Sequence, residues 1–270
     1  MAHDKQATTG AKVAGAQSID RALDVLACFL ERSELGITDL TQKTGLSAST
    51  THRIVQALTV RGYLQQSIAS ERYHLGPAAI VLGQAARRTH GLERALPALE
   101  ELGQLTGESV NLGLRDGDQV VVVLHVRSPQ PLRFDQPVGT RRSLHSTSMG
   151  KALLAFAPES IAGEQPGSLA PMTTNTITDK TELAAHLDEV RRVGYSTDAE
   201  ESVTGVSCLG APILNSSGEA IAAIAVQGPT ARLSLVDRAL LAKRVLRTAE
   251  QIAESLELDE VGHLWAQPDD

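Results

Sequence analysis

The sequence predicts an α+β protein of two domains from its length and from two features that change near residue 90, the pattern of elements and the charge. The 270 residues suit two domains of ordinary size. Three helical patterns and two short strand patterns fill residues 18–77, whereas strands alternate with helices from Gly91 onward. The formal charge is +3 over residues 1–90 and −10 over residues 91–270, together −7. This asymmetry supports a modular chain with a basic N-terminal part and an acidic body.

Residues 36–66, GITDLTQKTGLSASTTHRIVQALTVRGYLQQ, form the most informative stretch of the chain. Thr38 is expected to cap a short helix that runs through Lys43, and Gly45 occupies a turn that requires positive φ. Ser47 is expected to cap a second helix that reaches about Arg61. This layout is that of a helix-turn-helix, which places its second helix in the major groove of DNA.

The second helix has two chemically different faces. Apolar spacing predicts that Thr51, Ile54, Val55 and Leu58 face the domain core. The opposite face carries side chains suited to phosphates and base edges, namely Ser49, Thr50, His52, Arg53 and Gln56. Arg53 is the best candidate for a bidentate contact with guanine. An ordinary helical hairpin with a solvated polar face would show the same pattern.

The flanking sequence completes a winged helix-turn-helix. Two short strands, 64–66 and 72–75, are predicted around a polar turn, and Arg72 and His74 on this wing could reach a backbone phosphate. Upstream, Ser18 is expected to cap a first helix. The predicted apolar stripe of that helix consists of Ile19, Leu23, Leu26, Ala27 and Leu30.

The predicted domains follow one another along the chain. A disordered tail is expected at 1–17, the winged domain at 18–77, a linker helix with dimer contacts at 78–90, an effector domain at 91–260 and a second tail at 261–270. Predicted strands in the larger domain are 109–114, 119–126, 132–135, 195–198, 206–214 and 220–227. Predicted helices are 92–105, 148–156, 179–193 capped by Thr178, and 235–258 with a capping box from Ser234 to Asp237.

Composition excludes several classes of protein. No run is long enough for a membrane span, the N-terminus lacks a secretory h-region, and Cys28 and Cys208 lie too far apart to suggest a disulfide scaffold, so we expect a cytoplasmic protein. No His or Cys pair has metal-ligand spacing and no glycine-rich phosphate loop is present, so no metal or cofactor is expected. The modest charge of the N-terminal part predicts weak DNA binding by a monomer, which dimerisation would strengthen.

The start of the helix at 148–156 is a candidate anion site. Ser148, Met149, Gly150 and Lys151 open this helix, where free backbone N–H groups and the helix dipole favour a negative ligand. Gly150 has no side chain to block a close approach. The alternative is an ordinary helix start with Lys151 in water.

Several spaced motifs resemble the IclR family of bacterial transcription regulators from Ser18 to about Leu258. They are SIDRALDVL at 18–26, GLSASTTHRIVQAL at 45–58, YHLGPAAIVLG at 73–83, LHSTSMGKALLA at 144–155, ITDKTELAAHLDEVRRVGYSTDAEE at 177–201, GVSCLGAPI at 205–213 and Gly228-Pro229. The resemblance implies a winged helix that binds palindromic double-stranded operator DNA and a GAF-like effector domain. It also implies a homodimer or a dimer of dimers, acting as repressor or activator.

The same resemblance assigns roles to individual residues. Arg21, Thr38 and Gly45 become phosphate contacts, and Ser49, Thr50, His52 and Arg53 become the groove-facing set. The implied effector site comprises Ser148, Met149, Gly150, Asp198, Cys208, Ala225 and Gln227. Many family members carry Ser-x-Ser where this chain has Ala225 and Gln227, so the far wall of the site differs.

A small carboxylate is the effector class that these residues favour, with no particular compound implied. Two residues keep alternative interpretations. Asp198 could bond an effector hydroxyl or cap the turn before Glu200, and Cys208 could be a small apolar filler beside the site.

Two other function classes have partial support in the sequence. Gly205-Val206-Ser207-Cys208-Leu209 approaches a nucleophile elbow, but the final glycine is missing, and none of His125, His145 and His186 lies in a recognisable catalytic context with Ser207. The chain is therefore not expected to be an enzyme. A winged helix that contacts proteins is the third possibility, against which the exposed Ser, Thr, His and Arg side chains argue.

Overall fold

The computed structural model describes residues 16–158, 167 and 169–257. The tails expected at 1–17 and 261–270 lie outside these residues, except Ala16 and Gln17. The chain divides into two compact units, one ending at Ala86 and the other beginning at Arg87. Within the described residues, no helix combines the length and hydropathy that a membrane crossing needs. The two units confirm the α+β class, a helical unit with a small wing and a larger unit built on a sheet.

The N-terminal unit is a winged helix-turn-helix. Its helices are α1 (Gln17–Ala27), α2 (Ile37–Thr44) and α3 (Ala48–Val60), followed by β1 (Leu64–Gln66), β2 (Tyr73–Leu75) and α4 (Pro77–Thr89). The antiparallel pair β1–β2 forms the wing. The core of the unit consists of Val25, Phe29, Leu35, Leu40, Val55 and Leu64.

The predicted apolar stripe of α1 is wrong for most of its members, although Leu26 does pack against the core. Ile19, Leu23 and Leu30 are 62%, 58% and 73% exposed, whereas Val25 and Phe29 are buried. Val25 lies in α1 and Phe29 lies in the 3₁₀ turn that follows it, and both pack on the core. Because the 3.6-residue period no longer applies in that turn, aliphatic spacing alone could not predict this arrangement.

Two of the three predicted caps in this unit are replaced by neighbouring residues. α1 begins at Gln17 after Ala16, so Ser18 lies inside the helix. α2 begins after Gly36, whose N–H donates to Asp39 Oδ2 at 3.0 Å, so Asp39 takes the role predicted for Thr38. The Ser47 cap of α3 is confirmed, because its side chain accepts from the N–H of Thr50.

The larger unit contains a six-stranded antiparallel sheet of order β5-β4-β3-β8-β7-β6. The strands are β3 (Ser109–Asp116), β4 (Gln119–Val126), β5 (Arg141–Ser143), β6 (Ser196–Ala199), β7 (Val206–Leu214) and β8 (Ala220–Pro229). The helices are α5 (Leu92–Thr106), α6 (Ser148–Ala155), α7 (Lys180–Val193), α8 (Thr230–Leu233) and α9 (Arg238–Glu257).

The two faces of the sheet serve different purposes. α5 and α9 cover one face with an aliphatic core that includes Val110, Leu112 and Ile224. The opposite face meets α6, and its positions alternate with the first set, so Ser109 and Asn111 point there. Polar side chains are thereby buried between the sheet and α6.

Two local predictions in this unit are wrong, and one strand was not predicted. Residues 132–135 form no strand, and Arg141–Ser143 pairs with β4 instead. Asp135 binds Arg133 at 2.9 Å and Arg127 at 3.1 Å, so side-chain ion pairs hold that segment. α7 is capped by Asp179 rather than Thr178.

The last helix also differs from its prediction. A separate short helix, α8, precedes it, and α9 begins at Arg238. Asp237 Oδ1 accepts from the N–H groups of Ala239 and Leu240, so Asp237 caps α9 without a box from Ser234.

Candidate functional site

The predicted groove-facing residues share an exposed surface of α3. Ser49, His52, Arg53 and Gln56 are exposed, while Thr51 and Val55 are buried on the opposite side of the helix. Thr50 is half-buried, with its hydroxyl 2.9 Å from that of Ser47. The sequence thus positioned this surface correctly, and Thr50 also supports the helix start.

The basic side chains of this unit differ in their availability. In the described part of the chain Arg53 forms no ion pair, whereas Lys43 binds Glu31 at 2.6 Å and Arg72 binds Asp39 at 2.5 Å. The N–H of Gly36, and then Arg72, lower the pKa of Asp39. Arg72 therefore braces the wing against α2, whereas Arg53 is exposed on the groove-facing surface of α3 and open to a ligand.

The other predicted phosphate contacts are dispersed over the unit. Arg21 is half-buried on α1, and Thr38 is exposed in the first turn of α2. Gly45 ends α2 with φ of 70°, as its predicted turn requires. His74 on β2 is half-buried, and its Nδ1 atom has no hydrogen-bond partner among the described residues.

The second candidate site lies on the polar face of the six-stranded sheet. Register places Asp198, Cys208, Gln227 and Ser109 in one row across β6, β7, β8 and β3. The neighbouring row is formed by Ser196, Gly210, Ala225 and Asn111.

α6 begins directly above this second row. Ser196 Oγ donates to the carbonyl oxygen of Ser148 at 2.5 Å, and a Cβ on Gly210 would lie 3.1 Å from Ser148. The small residues of β7 and β8 therefore let the helix start approach the sheet.

A small cavity separates the helix start from the first row. Water could occupy only about 10 Å³ here, room for about one molecule, within about 310 Å³ of space that is partly open to solvent. The walls are Phe134, Gln136, Thr147, Ser148, Met149, Asp198, Ser202, Val203, Val206, Cys208, Ala225 and Gln227. The structure thus brings six of the seven predicted effector residues together, and Gly150 is the one that does not line the cavity.

The lack of a side chain at Gly150 allows α6 to pack closely on Leu144 and does not make room for a ligand. A Cβ at this position would lie 2.2 Å from the carbonyl oxygen of Leu144. Its N–H donates to Thr147 Oγ1 at 3.1 Å, so the cap satisfies it. Helix geometry leaves the N–H groups of Ser148 and Met149 without an acceptor inside the helix, and both residues face the cavity.

Gln227 presents an unused donor in the cavity wall. The residue is 1% exposed, and its Nε2 atom has no acceptor among the described residues. Neighbouring polar groups are already engaged, because Asn111 Nδ2 donates to Gln136 Oε1 at 3.3 Å and Asn111 Oδ1 lies 2.7 Å from His125 Nδ1. An orphaned buried amide costs stability unless something in the cavity accepts its proton.

Sequence reasoning missed a buried ion pair beside the cavity. Lys151, interpreted above as solvated, is 0% exposed, and its Nζ lies 2.6 Å from both carboxylate oxygens of Glu201. Every residue of α6 is buried. A helix with an apolar character all round must be buried, so its only charged residue needed a partner, and that signal was available in SMGKALLA.

Asp198 caps the turn before Glu201, as one of its two interpretations predicted, and it also lines the cavity. It is 2% exposed and lines the cavity, and its Oδ1 accepts from the N–H of Glu201 at 2.7 Å and from that of Ser202 at 3.3 Å. Burial raises the pKa of Asp198 to about 6, with the Glu201 carboxylate adding to the effect. Its second oxygen, Oδ2, takes no part in this turn.

The residues of the rival hydrolase interpretation are not arranged for catalysis. Ser207 Oγ lies 2.9 Å from the hydroxyl of Thr230, so a hydroxyl occupies the place a histidine base would need. Burial, and then Asp198, raise the pKa of the Cys208 thiol, which keeps it protonated. Across the described ranges, no three His, Cys, Asp or Glu side chains are grouped to hold a metal ion.

Two family models match the chain. The model described as the IclR helix-turn-helix domain matches residues 18–67, and that described as the bacterial transcriptional regulator IclR C-terminal domain matches residues 83–254. The chain is 36% identical over 242 residues to the HTH-type transcriptional regulator BhcR of Paracoccus denitrificans, covering 88% of this chain and 87% of that protein.

Solved structures show the same fold. The Thermotoga maritima IclR structure matches with a TM-score of 0.69 and 26% identity, covering 89% of this chain and 98% of that one. An IclR homologue from Microbacterium hydrocarbonoxydans, solved with 4-hydroxybenzoate, matches with a TM-score of 0.77 and 23% identity, covering 90% and 100%.

Proposed function

We propose that this chain, which belongs to the IclR family of bacterial transcription regulators, is a ligand-responsive regulator that binds a palindromic operator. Relatives in this non-enzymatic family are named as transcriptional regulators and repressors. The family supplies a helix-turn-helix domain for DNA and a C-terminal effector domain. The proposal adds which surface reads DNA and which cavity holds a small organic acid.

The exposed face of α3 is the proposed reading surface. Arg53 carries most of the argument, because it is exposed on the same face of α3 as His52 and Gln56 and lacks an ion pair within the described residues. Guanidinium fits the O6 and N7 acceptors of guanine in the major groove. His52 and Gln56 beside it offer further donors, and Arg72, held by Asp39, would position the wing.

The cavity between α6 and the sheet is the proposed effector site. The single observation that carries this half is the convergence of two kinds of unused donor, the helix-start N–H groups of Ser148 and Met149 and the buried Nε2 of Gln227. Donors without acceptors suit a carboxylate that also carries an oxygen outside its carboxylate group. The related structure with 4-hydroxybenzoate, a carboxylate with such an oxygen, is consistent with this class.

A homodimer, or a dimer of dimers, is the proposed binding species. The N-terminal unit leaves Ile19, Leu23 and Leu30 exposed on or after α1, and Ile80, Val81 and Leu82 exposed on α4. Aliphatic surface of this kind is typical of an interface. Dimers also match the two-fold symmetry of palindromic sites, whose half-sites lie about one DNA turn apart.

Selection of random double-stranded DNA by the purified protein tests the first half of the proposal. The enriched sequence should be an inverted repeat, and Arg53→Ala should weaken its binding. Arg61→Ala, an exposed arginine at the C-terminal end of α3, is the matched control. No enriched sequence, or equal binding by Arg53→Ala, would contradict the reading surface.

A thermal-shift screen tests the second half. Pyruvate, lactate, succinate and 4-hydroxybenzoate are acids that carry an oxygen outside one carboxylate group. Acetate and benzoate, which lack such an oxygen, are the matched controls. A compound that binds the folded protein raises its melting temperature by mass action. Gln227→Leu should remove the shift of a positive acid, and a panel without any shift would contradict the acid site.

A further inference from the structure

Asp198 in the cavity wall and the Lys151–Glu201 pair beside the cavity together hold more negative than positive charge. Asp198 and Glu201 are 2% and 5% exposed, and Lys151 is 0% exposed. Lys151 Nζ lies 2.6 Å from both oxygens of Glu201, so the charge of this ammonium is balanced by the Glu201 carboxylate. When all three groups are ionised, this buried cluster carries a net charge of −1, located at Asp198.

The two oxygens of Asp198 have different surroundings. Oδ1 accepts two backbone N–H groups, from Glu201 and Ser202, which fix the carboxyl in its turn. Oδ2 accepts no N–H group of this turn, and Cys208, whose thiol hydrogen-bonds the Asp198 carboxyl, lies opposite Asp198 in the β6–β7 register. A proton on Oδ2 would therefore make this group a hydrogen-bond donor without disturbing the turn.

Three other ionisable side chains lie close to this cluster, namely Glu201, Cys208 and His186. Glu201, from the same loop, is held by Lys151 of α6. The pKa of the Cys208 thiol on β7 is raised by burial, so it remains a thiol. His186 of α7 lies near Lys151 rather than Asp198, and burial and then Lys151 lower its pKa to about 4, which keeps it neutral above that pH.

An anion at the start of α6 would add a second negative charge beside Asp198, because Ser148, Met149 and Asp198 line the same cavity. Like charges sharing a buried site cannot both stay ionised at low cost. We propose that Asp198 takes up a proton from solvent when an anionic effector binds, and then donates a hydrogen bond from Oδ2 to an oxygen of that effector. This inference rests on the proposed acid site and makes the regulator respond to acid and pH together.

The test measures affinity against pH for one acid. The probe is whichever of pyruvate, lactate and 4-hydroxybenzoate gives the largest thermal shift at pH 6, since their carboxylates stay ionised from pH 6 to 8. If one proton is taken up per anion, the Kd of the wild-type protein should rise about tenfold per pH unit above the pKa of Asp198, which lies at about 6.

Asp198→Asn separates this proton from other titrations. Its amide oxygen can still accept from Glu201 and Ser202, and its NH₂ group replaces the protonated oxygen. The variant should bind the probe at pH 8 about as tightly as at pH 6. Asp188→Asn, an exposed position on α7, is the control and should keep the wild-type pH dependence.

Calorimetry of the wild-type protein gives a second measurement that needs no variant. Titrations at pH 7.5 in two buffers of different ionisation enthalpy should show close to one proton absorbed per anion bound. A flat wild-type Kd, no proton uptake, or Asp198→Asn with the wild-type pH slope would overturn the inference and leave the acid site intact. No shift with any acid of the thermal-shift panel would instead refute the acid site itself, and the inference with it.

Discussion

Replacing Asp198 with asparagine should stabilise the ligand-free protein at pH 8 and leave its stability nearly unchanged at pH 4. The change keeps the side-chain shape and the acceptor for the N–H groups of Glu201 and Ser202. It removes only the ionised form of a carboxyl that is 2% exposed. The effect on stability therefore follows from the pKa of Asp198 alone.

The magnitude comes from the shift of that pKa. Burial, with a smaller contribution from Glu201, raises the pKa of Asp198 from 3.8 to about 6 in the folded protein. Because the folded pKa exceeds the unfolded one, ionisation costs folding free energy. The cost is absent below about pH 4, grows through the window between 4 and 6, and reaches about 3 kcal/mol above it. A domain of this size gains about 2–4 °C in Tm per kcal/mol.

Urea unfolding of the full chain, followed by circular dichroism at one-unit steps from pH 4 to 8, measures the effect. The free-energy difference between Asp198→Asn and wild type should increase with pH and level off above pH 7. Burial lowers the pKa of His125 and His186, but both proteins share that contribution and it cancels. A difference independent of pH, or one that shrinks as pH rises, would refute a buried carboxyl that resists ionisation.

The remaining predictions concern packing, the ion pair and DNA. Lys151→Met should destabilise the protein by about 3–5 kcal/mol in urea unfolding by leaving Glu201 unpaired, and Lys151→Met with Glu201→Met should recover most of that loss; an equally unstable double variant would contradict the account. Gly150→Ala should cost at least about 1–3 kcal/mol because of the Leu144 carbonyl, whereas Gly83→Ala, with open space around it in α4, should be neutral or stabilising; the reverse order would argue against tight packing under α6. Arg53→Ala should cost about 1–3 kcal/mol of DNA affinity and relax specificity at one base pair in an anisotropy titration, while a uniform loss across sequences would identify a phosphate contact instead.

Local sequence rules predicted most of the N-terminal unit. Gly45 and Ser47 mark the turn between α2 and α3, where a positive φ and an N-cap are required. The buried and exposed faces of α3 also follow from spacing alone. The buried residues at the end of α1 were missed because Phe29 lies in the 3₁₀ turn after α1, where the 3.6-residue period no longer applies, and tertiary packing decides that Val25 and Phe29 are buried.

The candidate cavity was only partly predictable. The resemblance indicated Asp198, Cys208, Ala225 and Gln227, and the register of β6, β7 and β8 places three of them in one row. The pairing of Lys151 with Glu201 joins residues fifty positions apart, which no local pattern reports. Gly150 was assigned to the ligand because a helix start favours anions. The structure shows instead that a side chain here would collide with the backbone of Leu144.

The central claim is that an acid in the α6 cavity changes the affinity of α3 for DNA. The most direct test is an anisotropy titration of the selected DNA, with and without a saturating acid from the thermal-shift panel. The account predicts a change in Kd of about 5–150-fold, corresponding to a coupling of about 1–3 kcal/mol, that is absent in Gln227→Leu. Equal Kd values with and without an acid that demonstrably binds would contradict it.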